Sequence, residues 1–138
     1  MYDPALVQPM REELTRIGFQ ELTSAADVEA ALADTSAAAL IVVNSVCGCS
    51  AGSARPGVGM ALQSSAALPG KLLTVFAGQD KEATEKARSY FHGFPPSSPS
   101  MALLKDGKVV HFIPRQGIEG HSAEQIAENL KQAFAEYC

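Results

Sequence analysis

The sequence has no long apolar run, no excess of positive charge and few cysteines, and each of these absences excludes a class of protein. No apolar stretch approaches the roughly 18 residues that a membrane-spanning helix needs, so we expect no membrane partner. The net charge is -4, and an acidic chain releases no counterions on binding nucleic acid, so we expect no nucleic-acid partner. Three cysteines are too few for a disulfide-rich secreted scaffold.

Size and the start of the chain suggest one domain in the cytoplasm. At 138 residues, of which 46% are hydrophobic, the chain can bury one sizeable core, so we predict a single domain over residues 1–138. The segment Met1-Tyr2-Asp3-Pro4 lacks the basic start and apolar core of a secretory signal. We therefore expect a cytoplasmic protein, in which a cysteine pair is more often catalytic, redox-sensing or metal-binding than structural.

Helices and strands alternate along the first half of the chain. Asp3 caps a predicted amphipathic helix that ends at Gly18. A short strand follows over residues 19–22, and Ser24 begins a second helix. Residues 38–44 contain no charged residue, which is typical of a strand buried on both faces of a parallel sheet. We place this strand at the centre of the sheet.

The second half continues the alternation and ends with a hairpin and a helix. A helix, a strand and a helix are predicted in turn over residues 50–68, 72–77 and 81–91, with Pro56 as a kink in the first of them. Lys105-Asp106-Gly107 joins two strands as an antiparallel hairpin, because Asp-Gly suits the positive φ values of a tight turn. Ser122 and Gln125 form a capping-box pattern for the last helix. The sequence therefore predicts an α/β fold with a central mixed sheet flanked by helices.

Cys47-Gly48-Cys49 lies between the predicted central strand and a predicted helix. Unpaired N–H groups at a helix start stabilise a thiolate, and the thiolate is the nucleophile in sulfur exchange. With one residue between them, the two Cα atoms can lie within the roughly 4.4–6.8 Å that a disulfide tolerates. We therefore predict two reactive thiols. Arg55 either adds positive potential near Cys47 or is a solvated surface charge.

Two other interpretations of the pair are a buried structural role and metal binding. Thiolates bind zinc or copper(I), but such a site needs more ligands than two. Four further residues are candidates, and none stands at ligand spacing from the pair: His92, His111, His121 and Cys138. We therefore predict no metal site, and we expect Cys138 to be a free, exposed thiol.

The order of elements resembles the thioredoxin fold over roughly residues 19–137, with an extra N-terminal helix. Pro99 is similar to the cis-proline that thioredoxin-like proteins place facing their cysteines, so the resemblance implies a cis Ser98-Pro99 peptide. A proline has no N–H, which leaves one backbone edge free to pair with an extended substrate. We therefore expect Ser98 and Pro99 to bind substrate.

Two separated segments resemble the bacilliredoxin family of small bacterial thiol-disulfide proteins: residues 42–49 with Ala54-Arg55-Pro56, and residues 95–103. The resemblance implies a thiol-disulfide oxidoreductase that removes a low-molecular-weight thiol from protein mixed disulfides, together with disulfide isomerase-like activity. It implies that Cys47 attacks and that Cys49 is the second, resolving thiol.

The implied partners are client proteins carrying mixed disulfides and a small thiol. Bacillithiol or another low-molecular-weight thiol is expected as co-substrate, with no bound cofactor. The alternative from a different class is a thiol-based metal-binding or redox-sensing module without turnover.

Overall fold

A mixed sheet of five strands organises the molecule, whose computed structural model describes all 138 residues. The strands are β1 (Gln20–Glu21), β2 (Ala39–Asn44), β3 (Lys71–Phe76), β4 (Ser100–Lys105) and β5 (Lys108–Ile113). Their order across the sheet is β1-β3-β2-β4-β5. The first three strands run parallel, whereas β4 is antiparallel to β2, and β5 to β4. The predicted central strand is confirmed, since β2 is the middle strand and all six of its residues are buried.

Helices cover both faces of this sheet. They are α1 (Pro4–Thr15), α2 (Ala25–Leu32), α3 (Arg55–Ser64), α4 (Lys81–Arg88), α5 (Arg115–Ile118) and α6 (Ala123–Tyr137), and a π-helical segment, Ser50–Ala54, precedes α3. Leu40 and Val42 of β2 pack in a core with residues of α3 and α6. Ile41 and Val43 point the other way, into a second core with residues of α2 and α4. The sheet therefore lies between two helical layers, as the alternation of buried side chains along a strand requires.

Local signals in the sequence position several element ends as predicted. Asp3 accepts a hydrogen bond from the backbone in the first turn of α1. Ser122 and Gln125 form the predicted capping box at the start of α6, with hydrogen bonds of 3.1 and 2.9 Å. Asp106 and Gly107 have φ values of 53° and 77°, which fits the predicted hairpin turn. None of the helices combines the length and apolar character that a membrane crossing requires.

Three predicted elements differ from the structure. The predicted helix over residues 50–68 is instead the π-helical segment followed by α3, which ends at Ser64. Pro56, where we predicted a kink, lies in the first turn of α3, at the junction with the π-helical segment. β1 is shorter than predicted, and α4 ends at Arg88 rather than near residue 91.

Candidate functional site

The two thiols of Cys47-Gly48-Cys49 lie just beyond the end of β2, where the chain turns into a helix. The carbonyl of Cys47 accepts hydrogen bonds from the N–H groups of Ser50 and Ala51, at 2.9 and 3.4 Å. The Sγ atoms of Cys47 and Cys49 are 2.7 Å apart, and both residues are free thiols of intermediate exposure. The predicted strand-to-helix position is confirmed, and both sulfur atoms lie near the surface.

The surroundings make the two thiols unequal. Hydrogen bonds from the side chain and then the backbone of Cys49 lower the pKa of Cys47, and the charge of Arg115 adds to this against an opposing effect of burial. Burial raises the pKa of Cys49, and so do its hydrogen bond to Cys47 and the charge on that sulfur. Cys47 is therefore the thiol that ionises more readily of the two.

A guanidinium group contacts Cys47 from a distant part of the chain. Nη2 of Arg115 lies 3.3 Å from Sγ of Cys47. Arg115 is the first residue of α5; its Nε donates to Glu119 at 2.8 Å, and its Nη1 donates to the carbonyl of Ser98 at 3.1 Å. These two contacts orient the guanidinium so that its positive charge faces the sulfur of Cys47.

The loop before β4 meets the cysteine turn, as the resemblance implied. The Ser98-Pro99 peptide is cis. The pairing of Ser100 with Val43 places this loop next to the end of β2. Ser98 lines the same cleft as Cys47, whereas Pro99 is buried and is not among the residues that line it. The structure therefore brings Ser98 to the cleft that contains Cys47, whereas Pro99 has no surface in that cleft.

A buried polar network holds the turn that carries the cysteines. Oδ1 of Asn44 accepts hydrogen bonds from Nη1 of Arg55 at 2.9 Å and from the hydroxyl of Ser50 at 3.2 Å. Nη1 of Arg55 also donates to the carbonyl of Ser45 at 3.1 Å, and the hydroxyl of Ser45 accepts from the N–H of Cys47 at 2.9 Å. Arg55 is 4% exposed, so its interpretation as a solvated surface charge is wrong. Its guanidinium instead joins the end of β2 to the π-helical segment and α3.

Sequence reasoning missed the roles of Asn44, Arg55 and Arg115. One signal was present: Asn44 ends an apolar strand, and a polar side chain that is buried there needs partners. Part of the charge of Arg55 is matched by Glu13 of α1, with 3.3 Å between Nε and the carboxylate. That pairing joins two helices far apart in sequence, which no local pattern reveals.

An open cleft of about 430 Å³ lies beside Cys47. Its lining includes Tyr2, Cys47, Gly78, Arg88, Ser98 and Arg115, but not Cys49. Its volume is within the roughly 300–1,000 Å³ that is usual for small-molecule sites. A small molecule in the cleft therefore reaches Cys47 before Cys49.

No third metal ligand accompanies the two thiols. No group of three or more His, Cys, Asp or Glu side chains is arranged to hold a metal ion anywhere in the chain. Cys138 is a free, exposed thiol that follows α6 and is not among the residues that line the cleft. The cleft is lined by the thiol of Cys47 and by the side chains of Arg88 and Arg115.

Solved structures with the same architecture are thioredoxins. A thioredoxin from Fasciola hepatica matches with a TM-score of 0.53 and 17% identity, covering 87% of this chain and all of the other. Thioredoxin O2 from Arabidopsis thaliana, in its oxidised state, matches with a TM-score of 0.56 and 17% identity, covering 86% of this chain and 96% of the other. These matches confirm the thioredoxin-like fold.

Sequence comparison gives the family. The profile of the family described as Disulphide isomerase matches residues 2–138. A bacilliredoxin from Geobacillus kaustophilus is 56% identical over 137 residues, which are 99% of this chain and 94% of the relative. A bacilliredoxin from Koribacter versatilis is 51% identical over 138 residues, which are 100% of this chain and 94% of the relative. With a thiol pair at the expected turn and relatives more than half identical along the whole chain, the protein belongs to the bacilliredoxin family of thiol redox proteins.

Proposed function

We propose that the protein is a thiol-disulfide oxidoreductase that removes a low-molecular-weight thiol from protein mixed disulfides. The observation that carries this proposal is the contact of 2.7 Å between the sulfurs of Cys47 and Cys49, whose pKa values are shifted in opposite directions. One sulfur is thereby prepared to attack and the other is held ready to follow. The bacilliredoxin relatives, at 51–56% identity, support the same chemistry.

In the first step the Cys47 thiolate attacks the sulfur of the small thiol in the mixed disulfide. A bond forms between these two sulfurs, and the client–small-thiol bond breaks. The client sulfur leaves as a thiolate and takes a proton from water. A thiolate with a lowered pKa is also a good leaving group, so the new mixed disulfide at Cys47 is easily resolved.

In the second step Cys49 loses its proton to solvent and attacks the sulfur of Cys47. The small thiol departs as a thiolate, and a disulfide between Cys47 and Cys49 remains. The client has then gained two electrons and the cysteine pair has lost two. Two molecules of a low-molecular-weight thiol, or one external dithiol, return these electrons and leave as a disulfide.

Bacillithiol or another low-molecular-weight thiol is the co-substrate in this proposal, and the cytoplasm is its compartment. Disulfide isomerase activity is a second candidate, favoured by the match of residues 2–138 to the family described as Disulphide isomerase. It uses the same Cys47 sulfur, which attacks a non-native disulfide in a client and is later displaced by another client thiol.

The test is a turnover assay on a reporter protein whose single cysteine carries a glutathione or bacillithiol cap. With excess reductant we expect each molecule of the parent protein to remove many caps. Mass spectrometry of the reporter measures how many caps have been removed at each time. Cys47→Ala should lower the rate by about 100-fold or more, because the nucleophile is gone. Cys138→Ala is the matched control and should keep the parent rate, since Cys138 lies outside the cleft.

Two results would count against the proposal. Cap removal by Cys47→Ala at the parent rate would show that another group is the nucleophile. Removal of no more than one cap per protein molecule, with reductant present, would favour a redox sensor without turnover.

A further inference from the structure

The cleft beside Cys47 contains two arginines, although the chain as a whole has a net charge of -4. Arg115 pairs with a single carboxylate, that of Glu119. Arg88 forms no salt bridge; its Nη2 donates to the carbonyl of Ser97 at 3.2 Å. The local charge of the cleft is therefore more positive than that of the surrounding protein.

The guanidinium of Arg88 is incompletely paired. Its Nε atom is buried and has no hydrogen-bond partner, an unusual arrangement for a buried donor. Burial lowers the pKa of Arg88, and the nearby charge of Glu85 compensates only in part. Arg88 lines the cleft and has no salt-bridge partner, so an anion there would give its guanidinium a directly paired charge.

The charge balance of the cleft changes when Cys47 reacts. Before reaction, the thiolate of Cys47 and the carboxylate of Glu119 both contact the guanidinium of Arg115. Once the sulfur of Cys47 is bonded to another sulfur, its negative charge is lost and Nη2 of Arg115 no longer faces an anion. A carboxylate on the molecule attached to Cys47 restores the balance, and it fits the paired N–H groups of a guanidinium.

The walls of the cleft favour a small ligand. The N–H of Tyr2 donates to the side chain of Gln79 at 2.8 Å, and Nε2 of Gln79 donates back to the carbonyl of Tyr2 at 3.2 Å. These bonds hold the backbone of Tyr2, and its ring lies over Gly78, where an added Cβ would be 3.1 Å from a ring atom. The ring therefore forms a fixed wall of the cleft near Cys47.

We propose that Arg88 and Arg115 form an anion subsite that binds a carboxylate of the small thiol whose sulfur is exchanged at Cys47. The proposal rests on the proposed function for the identity of this ligand as an exchanging small thiol. Arg115 acts on both the Cys47 sulfur and the carboxylate, since it contacts that sulfur and lines the cleft. Arg88 serves the carboxylate alone.

The test compares two caps that differ in one charge: 3-mercaptopropionate and 3-mercaptopropionamide. The Cys49→Ala variant is equilibrated with the symmetrical disulfide of each thiol, and mass spectrometry measures the mixed disulfide at Cys47. The thiolate of Cys47 displaces one thiolate from each symmetrical disulfide, so no further oxidant is needed. A neutral cysteine peptide in the same solution gives the reference ratio of the two equilibrium constants.

We expect Cys47 to favour the carboxylate cap by about threefold or more over the reference, the size of effect usual for a partly exposed ion pair. Arg88→Gln should bring the ratio close to the reference. Arg16→Gln removes the same charge from an exposed side chain without a salt bridge and should leave the ratio unchanged. High salt should reduce the preference of the Cys49→Ala protein for the carboxylate cap, because salt screens the ion pair. This measurement needs no substitution at Arg88.

A ratio equal to the reference in the Cys49→Ala protein, or one that survives Arg88→Gln, would overturn the subsite. A purely structural role of Arg88 at the carbonyl of Ser97 would change both equilibrium constants equally and leave their ratio intact. Cap removal from client proteins without a carboxylate preference would sustain the proposed function and refute the subsite. A carboxylate preference without client turnover would support the anion subsite and refute the proposed function.

Discussion

The sulfur atoms of Cys47 and Cys49 are 2.7 Å apart, yet their surroundings move their pKa values in opposite directions. Burial is the largest cause that raises the pKa of Cys49, whereas the hydrogen bonds from Cys49 are the largest causes that lower the pKa of Cys47. The charge of Arg115 acts on both sulfurs, but at Cys47 it ranks below the hydrogen bonds from Cys49. At the residue scale, the spacing of the two cysteines therefore matters more than the nearest positive charge.

Cys49→Ala should raise the pKa of Cys47 more than Arg115→Gln does, because it removes the largest contribution that lowers this pKa. A lowered pKa means that the thiolate is already present at lower pH, so loss of that contribution moves the titration of Cys47 to higher pH. The measurement is the rate of iodoacetamide alkylation at Cys47 as a function of pH, read by mass spectrometry of the digested protein.

Cys138→Ala is the control for this titration and should leave the profile of Cys47 in place. An unchanged profile in Cys49→Ala would contradict the account, and so would a larger shift in Arg115→Gln.

Sequence reasoning located the thiols but not the groups that adjust them. Cys47 and Cys49 could be predicted because a strand pattern, the cysteine pair and a helix pattern follow one another directly in the sequence. The turn between them is therefore determined by neighbouring residues. Arg115 lies 68 residues from Cys47 and meets it only through the tertiary fold. Arg55 could be taken for a surface charge because the residues next to it in the sequence do not show that Asn44 and Ser50 contact its guanidinium.

At the scale of elements, the helix α3, which follows the cysteine turn, is held in place by its contact with α6. A Cβ added at Gly57 of α3 would lie 2.8 Å from Cγ2 of Ile126 and 3.0 Å from the backbone carbonyl of Ala123. The two helices therefore approach as closely as they do because residue 57 has no side chain. Two residues further along the same helix, a Cβ at Gly59 would meet only Ile17, at 3.9 Å.

These two glycines provide a matched pair of substitutions. Gly57→Ala should lower the free energy of unfolding by about 1–3 kcal/mol, because α3 must move away from a backbone atom of α6. Gly59→Ala should raise it by up to about 1 kcal/mol, since alanine is the better helix former and its methyl group has room. Urea unfolding followed by circular dichroism measures both values, and effects of the same sign would contradict this description of the interface.

Element ends were predictable where a few adjacent residues determine them. Asp3, the capping box of Ser122 and the Asp-Gly turn each satisfy backbone groups within four residues of themselves. The π-helical segment was not predictable, because its small residues fit an α-helix equally well. The helix α5 was missed because its four residues include a glycine and are too few to show a helical period.

At the scale of the whole molecule, the topology collects the site from separate parts of the chain. The end of β2 supplies Cys47, the loop before β4 supplies Ser98, and α5, which follows β5, supplies Arg115. The N-terminal segment adds Tyr2, and α4 adds Arg88. A molecule with a net charge of -4 thereby presents two arginines in the cleft beside Cys47, the thiol whose pKa is lowered.

The central claim, that Cys47 takes the small thiol from a client, is tested most directly by trapping the intermediate. Cys49→Ala is mixed with an equimolar reporter protein whose single cysteine carries a glutathione cap, acid stops the reaction after a short time, and intact and digested masses are measured. We predict that the cap appears on Cys47 and that the reporter is released with a free thiol. A reporter left fully capped, a cap found on Cys138, or the reporter itself joined to Cys47 would contradict the claim.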